Sequence, residues 1–131
     1  MSSFTLSTTV ALPCDDAVTA TRAALADQGF GVLTEIDIAA TLRAKLGVEV
    51  PRQVILGACR PPLAFEALQV DPSVAAMLPC NVVVRSVDDD TCVIEAFDPA
   101  VMTQLVPELE KVAAEAGLRL TAALTALTEE H

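Results

Sequence analysis

Cys80-Asn81-Val82-Val83-Val84-Arg85-Ser86-Val87, then Asp88-Asp89-Asp90, then Thr91-Cys92-Val93-Ile94-Glu95-Ala96-Phe97 is the stretch from which the architecture can be read. Two runs rich in β-branched residues flank a polar connection of hairpin length, which predicts two antiparallel strands. Side chains alternate between the two faces of a strand. With Arg85 and Glu95 toward water, Cys80, Val82 and Val84 face inward, as do Cys92, Ile94 and Ala96. A sheet with one apolar face needs an apolar layer to cover it.

The C-terminal segment supplies that layer. After an Asp98-Pro99 start signal and Pro107, the residues Leu109, Val112, Ala116, Leu120, Ala123 and Leu127 recur at spacings of three and four, the stripe of an amphipathic helix. Glu108, Glu110, Lys111, Glu115 and Arg119 occupy its other side. Gly117 costs this helix about 1 kcal/mol relative to Ala, and either a close approach by a strand or plain tolerance accounts for it.

Upstream the same two periods alternate. Phe4, Leu6, Thr8 and Val10 form the inner face of a first strand, and Pro13 with Asp15 and Asp16 opens a helix, anchored by Val18 and Leu25, that closes at Gly29. Phe30, Val32, Thr34 and Ile36 predict a second strand with Glu35 toward solvent. Asp37 caps a short helix ending at Gly47. A third strand spans Gln53 to Cys59, and Pro61-Pro62 opens a helix with Leu63, Ala64, Ala67 and Leu68 on one face, ending before Asp71-Pro72. The whole is one α+β domain over residues 1–131: a two-layer sandwich of five mainly antiparallel strands against a long C-terminal helix.

The composition bounds the function. Hydrophobic residues make up 53% of the 131, ample for a single core. Eight basic against 18 acidic residues give a net charge of −10, which repels phosphate backbones and anionic membranes. Without Trp or Tyr there is no stacking platform for single strands, so nucleic acid and membrane are both disfavoured as partners. No basic leader precedes Phe4 in Met1-Ser2-Ser3, and no apolar run reaches spanning length, so the expectation is a cytoplasmic protein that keeps Cys14, Cys59, Cys80 and Cys92 reduced.

Three stretches carry a family resemblance: Gly29-Phe30-Gly31-Val32-Leu33-Thr34-Glu35-Ile36-Asp37, Leu56-Gly57-Ala58-Cys59, and Leu78-Pro79-Cys80-Asn81-Val82-Val83-Val84. Together with Asp98-Pro99 and the closing helix, the chain resembles the domain of unknown function 302 family over nearly its whole length. The resemblance implies a TATA-binding-protein-like fold, with a curved antiparallel sheet gripping the long helix, and a homodimer. It implies no activity. Arg60-Pro61 departs from the family's usual Asn-Pro after the first cysteine. A fold shared with a DNA-bending protein carries no function, because function resides in sites.

Much chemistry is excluded by residue type. The single histidine, His131, leaves Ser-His-Asp and Cys-His machinery without a base. No C-x-x-C pair, glycine-rich phosphate loop or calcium loop is present. Glu35 and Asp37 share a strand face, as paired carboxylates or as a solvated stripe. Asp88-Asp89-Asp90 reads as a solvated turn.

Cys59 and Cys80 remain. In the fold the resemblance implies, both lie at one sheet end, with Arg60 and the following helix N-terminus favouring a Cys59 thiolate. The candidate ligand-binding residues are therefore Cys59, Arg60, Cys80 and Asn81, with Cys59 and Cys80 as metal ligands for Cu(I) or another thiophilic ion. The cofactor, if any, is not specified by the sequence. A reversible Cys59–Cys80 disulfide, a purely structural dimeric module, and two thiols that only pack stand beside that reading. Cys14 and Cys92 have no partner in this scheme and read as packing residues. A small apolar cavity between sheet and helix is a further candidate site, against a fully packed core.

Overall fold

The computed structural model describes residues 3–131. Met1 and Ser2, which belong to the leader reading and to the 1–131 domain span, lie outside the described residues. The elements run β1 (Thr5–Val10), α1 (Cys14–Asp27), β2 (Gly31–Asp37), α2 (Ile38–Leu46), β3 (Gln53–Cys59), α3 (Pro61–Val70), β4 (Cys80–Asp88), β5 (Thr91–Phe97), α4 (Met102–Leu105) and α5 (Glu110–Glu130). Short helical segments at Pro72–Met77, Pro99–Val101 and Pro107–Leu109 join them.

The five strands make one antiparallel sheet in the order β1-β5-β4-β3-β2. The Cys80–Phe97 hairpin therefore lies at its centre. Val82, Val84, Ile94 and Ala96 are buried on the face expected for them, together with Val54, Leu56 and Ala58 of β3. That face is covered by two helices rather than one. Cys14, Ala17, Ala24 and Leu25 of α1 join Leu120, Ala123, Leu124 and Leu127 of α5 in a single core, with Val18 half-buried beside them. A smaller cluster, Ala67, Val74, Met102 and Leu109, closes the end where α3 and the start of α5 meet.

Local signals hold the elements in place. The Asp37 side chain accepts from the Ala40 N–H at 2.9 Å and starts α2, and Gly47 ends it in the left-handed region at φ 70°. Gly117 has open space where a Cβ would stand, so no strand approaches it and the glycine is simply tolerated.

Two readings of strand faces change. Phe4 precedes β1 and is 54% exposed rather than inward. In β2 the register shifts between Val32 and Thr34, so Leu33 is an extra residue and everything after it changes face. Val32 still pairs with Ala58 on the core side, but Ile36 pairs with Ile55 on the opposite side and is 46% exposed. Glu35 consequently lies on the helix side, where Arg22 of α1 donates to it at 2.8 Å. With Asp37 capping α2, the two carboxylates serve separate partners and form no pair.

Candidate functional site

The β3–β4 register places Ala58 opposite Cys80, with Cys59 one residue beyond at the strand end. Both cysteines are free thiols of intermediate exposure. They border one cavity of about 40 Å³ between the sheet end, α3 and the first turns of α5, walled by Ala58, Leu63, Ala67, Ala113 and Ala116. The wall is apolar because α3 and α5 both present small residues here, which brings the helices close without filling the space between them. A volume this size accommodates about one water-sized guest and is far below the roughly 300 Å³ at which ordinary small-molecule pockets begin. A wider surface cleft of about 540 Å³, lined by Arg60, Leu63 and Lys111, runs alongside between α3 and α5.

Burial pushes the Cys80 thiol above its ordinary pKa, and charge on Cys59 pushes it the same way. Cys80 is thus held as a neutral thiol at physiological pH. Among the described residues, no three His, Cys, Asp or Glu side chains cluster in metal-ligating fashion, so an ion held by side chains at this end would sit between two sulfurs.

Arg60 has a different task from the one its sequence position suggests. Its Nε donates to the Gln28 carbonyl at 3.0 Å, so the guanidinium ties the C-terminus of α1 to the start of α3. Gly29, at φ 84°, makes room for it: a Cβ there would stand 3.0 Å from Arg60 Nε. Arg60 lines the cavity rim while its charge is spent on a helix end. Asn81 is exposed and lies opposite Gly57, on the pleat facing away from Cys80, and does not border the cavity. The structure therefore gathers Cys59, Arg60 and Cys80 and leaves Asn81 apart.

At this same end Gly57 allows an unusually close packing. A Cβ on it would collide with Thr34 Oγ1 and come within 2.9 Å of Pro79 Cγ. Its absence lets β2 and the Leu78-Pro79 segment close over β3 and fixes where β4 begins.

Cys14 and Cys92 are both buried in the main core, toward the far end of the sheet, as packing residues are. Cys92 is already inward by alternation. What brings Cys14 to it is the pairing of Val10 with Cys92, after which a three-residue turn folds the start of α1 back over β5. Sequence signals for each half were present, but the β1–β5 adjacency was not among them.

The family model described as "Domain of unknown function DUF302" matches residues 6–127. Among solved structures, the crystal structure of the uncharacterized conserved protein DUF302 from Bacillus stearothermophilus is similar, with a TM-score of 0.87 and 27% identity, covering 96% of this chain and 99% of that one. No curated protein matches the chain.

Proposed function

The chain belongs to the DUF302 family, and on that premise we propose that it is a non-enzymatic binding domain whose site is the thiol-bearing end of the sheet, where Cys59 and Cys80 receive a single thiophilic ion such as Cu(I). One observation carries the reading: two half-exposed free thiols from adjacent strands border the same small apolar cavity. Its size suits a monatomic guest better than an organic molecule, and soft sulfur donors select soft ions. A bound cation favours deprotonation of its ligands, so it would displace the proton that burial keeps on Cys80. Arg60 acts here as the strut that sets the cavity rim.

The thiol-redox alternative, with Cys59 attacking and Cys80 resolving, has the raised pKa of Cys80 against it. Self-association is part of the proposal: beyond the helix-covered face, Ile36 lies beside Ile55 at a sheet surface that a second copy would cover.

The test is native mass spectrometry of the reduced protein with and without anaerobic Cu(I), alongside Cys59→Ser and Cys80→Ser. The expected result is a dimer carrying one copper per subunit, lost in both variants. Retention of copper by both variants would overturn the site, and a bare dimer in every sample would favour a purely structural interaction module.

A further inference from the structure

We propose that the exposed helix α2 of one copy docks into the acidic groove between α1 and α5 of a second copy, so that the chain associates head to tail. The inference uses neither the thiols nor the open sheet face and stands or falls separately from both.

The groove has a volume of about 370 Å³ and an apolar floor of small side chains, Ala20, Ala23 and Ala24 of α1 with Ala126 of α5, beside Leu12. Its rim is acidic: Asp16 and Asp27 of α1 and Glu130 of α5. Asp16 and Asp27 pair with no cation among the described residues, and Glu130 has only the His131 ring at 3.9 Å. Carboxylates without a counter-charge around an apolar floor favour a cationic guest with an apolar body. Alanines also let a second helix approach closely, since the distance between packed helices follows the side chains at the contact.

Helix α2 has the matching properties. Ala39 is its one buried residue, and its outer face shows Ala40, Thr41, Ala44 and Lys45, all exposed. Leu46 follows at 69% exposure. Residues 38–52 carry Arg43, Lys45 and Arg52 against the single acid Glu49, in a chain of net charge −10. Arg43 is tied to Glu49 and Arg52 to Asp15, which leaves the Lys45 ammonium without an ion pair among the described residues. Lengths agree as well: the nine residues of α2 span about 14 Å, and Asp16 and Asp27 stand about 17 Å apart along α1. No residue of α2 lines the groove, so the two surfaces do not meet within one chain. Every copy thus offers one basic helix and one acidic groove. A contact between two different surfaces is heterologous and continues past two copies, into a ring or an open chain.

The experiment is sedimentation velocity of the full chain at rising concentration, at low and at high salt. The expected result is association that grows beyond a dimer and weakens with salt. Lys45→Glu and Asp27→Lys, both on exposed helix surface, should each weaken it roughly 5- to 20-fold. An equal mixture of the two variants should recover it, because the intact helix of one meets the intact groove of the other. As a measurement that needs no variant, carbodiimide treatment of an equal mixture of unlabelled and heavy-nitrogen-labelled chains should give inter-chain amides from Lys45 to Asp16, Asp27 or Glu130. A salt-insensitive dimer that grows no further, variants that associate as the unsubstituted chain does, or a mixture that fails to recover overturns the proposal.

Discussion

The two ends of the sheet hold the same residue type in opposite settings. At one end Cys59 and Cys80 come from neighbouring strands, stay half-exposed, and border a small void between alanine-rich helix surfaces. At the other, Cys14 and Cys92 are buried and enclosed by the junction of β1, α1, β4 and β5. A cysteine's role therefore follows from its neighbours and not from its count or spacing. One pair borders open space, whereas the other is packed on all sides.

The comparison breaks most sharply at Gly57. Gly57→Ala should destabilise the protein by about 2–4 kcal/mol in urea denaturation, because its Cβ has no room against Thr34 and Pro79. If copper retention survives in that variant, the open end does not depend on the packing that frames it.

A second contrast is electrostatic. The Cys92 thiol is pushed from 9.0 to about 11, chiefly by burial and then by charge on Cys14. A thiol whose folded pKa lies above its unfolded one contributes stability that is intact below the unfolded value and is lost as pH rises toward the folded one. Between pH 9 and 11 the protein should lose about 2 kcal/mol through this group, since the unfolded chain ionises first. Cys14 and Cys80 act in the same direction. Urea midpoints at neutral and alkaline pH measure the loss, and in Cys92→Ala the slope should flatten.

Truncation should then separate the ends by packing alone. Cys92→Ala removes a fully enclosed sulfur and should cost about 1–2 kcal/mol, whereas Cys59→Ala at the half-exposed end should stay within about 0.5 kcal/mol. Equal losses would erase the distinction. Filling the cavity with Ala113→Val should shift stability by less than about 1 kcal/mol while abolishing copper retention. The smallest effect belongs to Glu95. Its carboxyl is held below the usual range by hydrogen bonds from Thr5 Oγ1 at 2.7 Å and Arg85 at 3.0 Å, so its contribution is present above the unfolded value and fades as pH falls through the folded one. Thr5→Val should reduce acid resistance by less than about 1 kcal/mol.

Much of the fold was legible because it is locally encoded. The bounds of β3, the Asp37 cap, the Gly47 stop, the hairpin and the stripe of α5 each follow from period and punctuation within a short window. The misreadings have a common physical origin in contacts between distant segments. The extra residue at Leu33 has no local marker, and it reverses the faces of Glu35 and Ile36. Arg60 adjoins Cys59 in the chain but is claimed by the end of α1, which sequence spacing does not reveal. Of the candidate site, the Cys59–Cys80 juxtaposition was legible once antiparallel neighbours were assumed. That Cys14 and Cys92 share one end of the core was not, because it depends on β1 lying beside β5.

That adjacency also sets a timetable. β1 emerges first during synthesis, yet its hydrogen-bonding partner is the last strand to appear, with Thr5 opposite Phe97. The β4–β5 ribbon, closed by its short turn, can zip within microseconds, whereas docking β1 must wait for most of the chain and close a long loop. Until then the nascent protein carries an unpaired apolar-faced strand, and the risk of misassembly is greatest in the interval before the ribbon arrives to receive it.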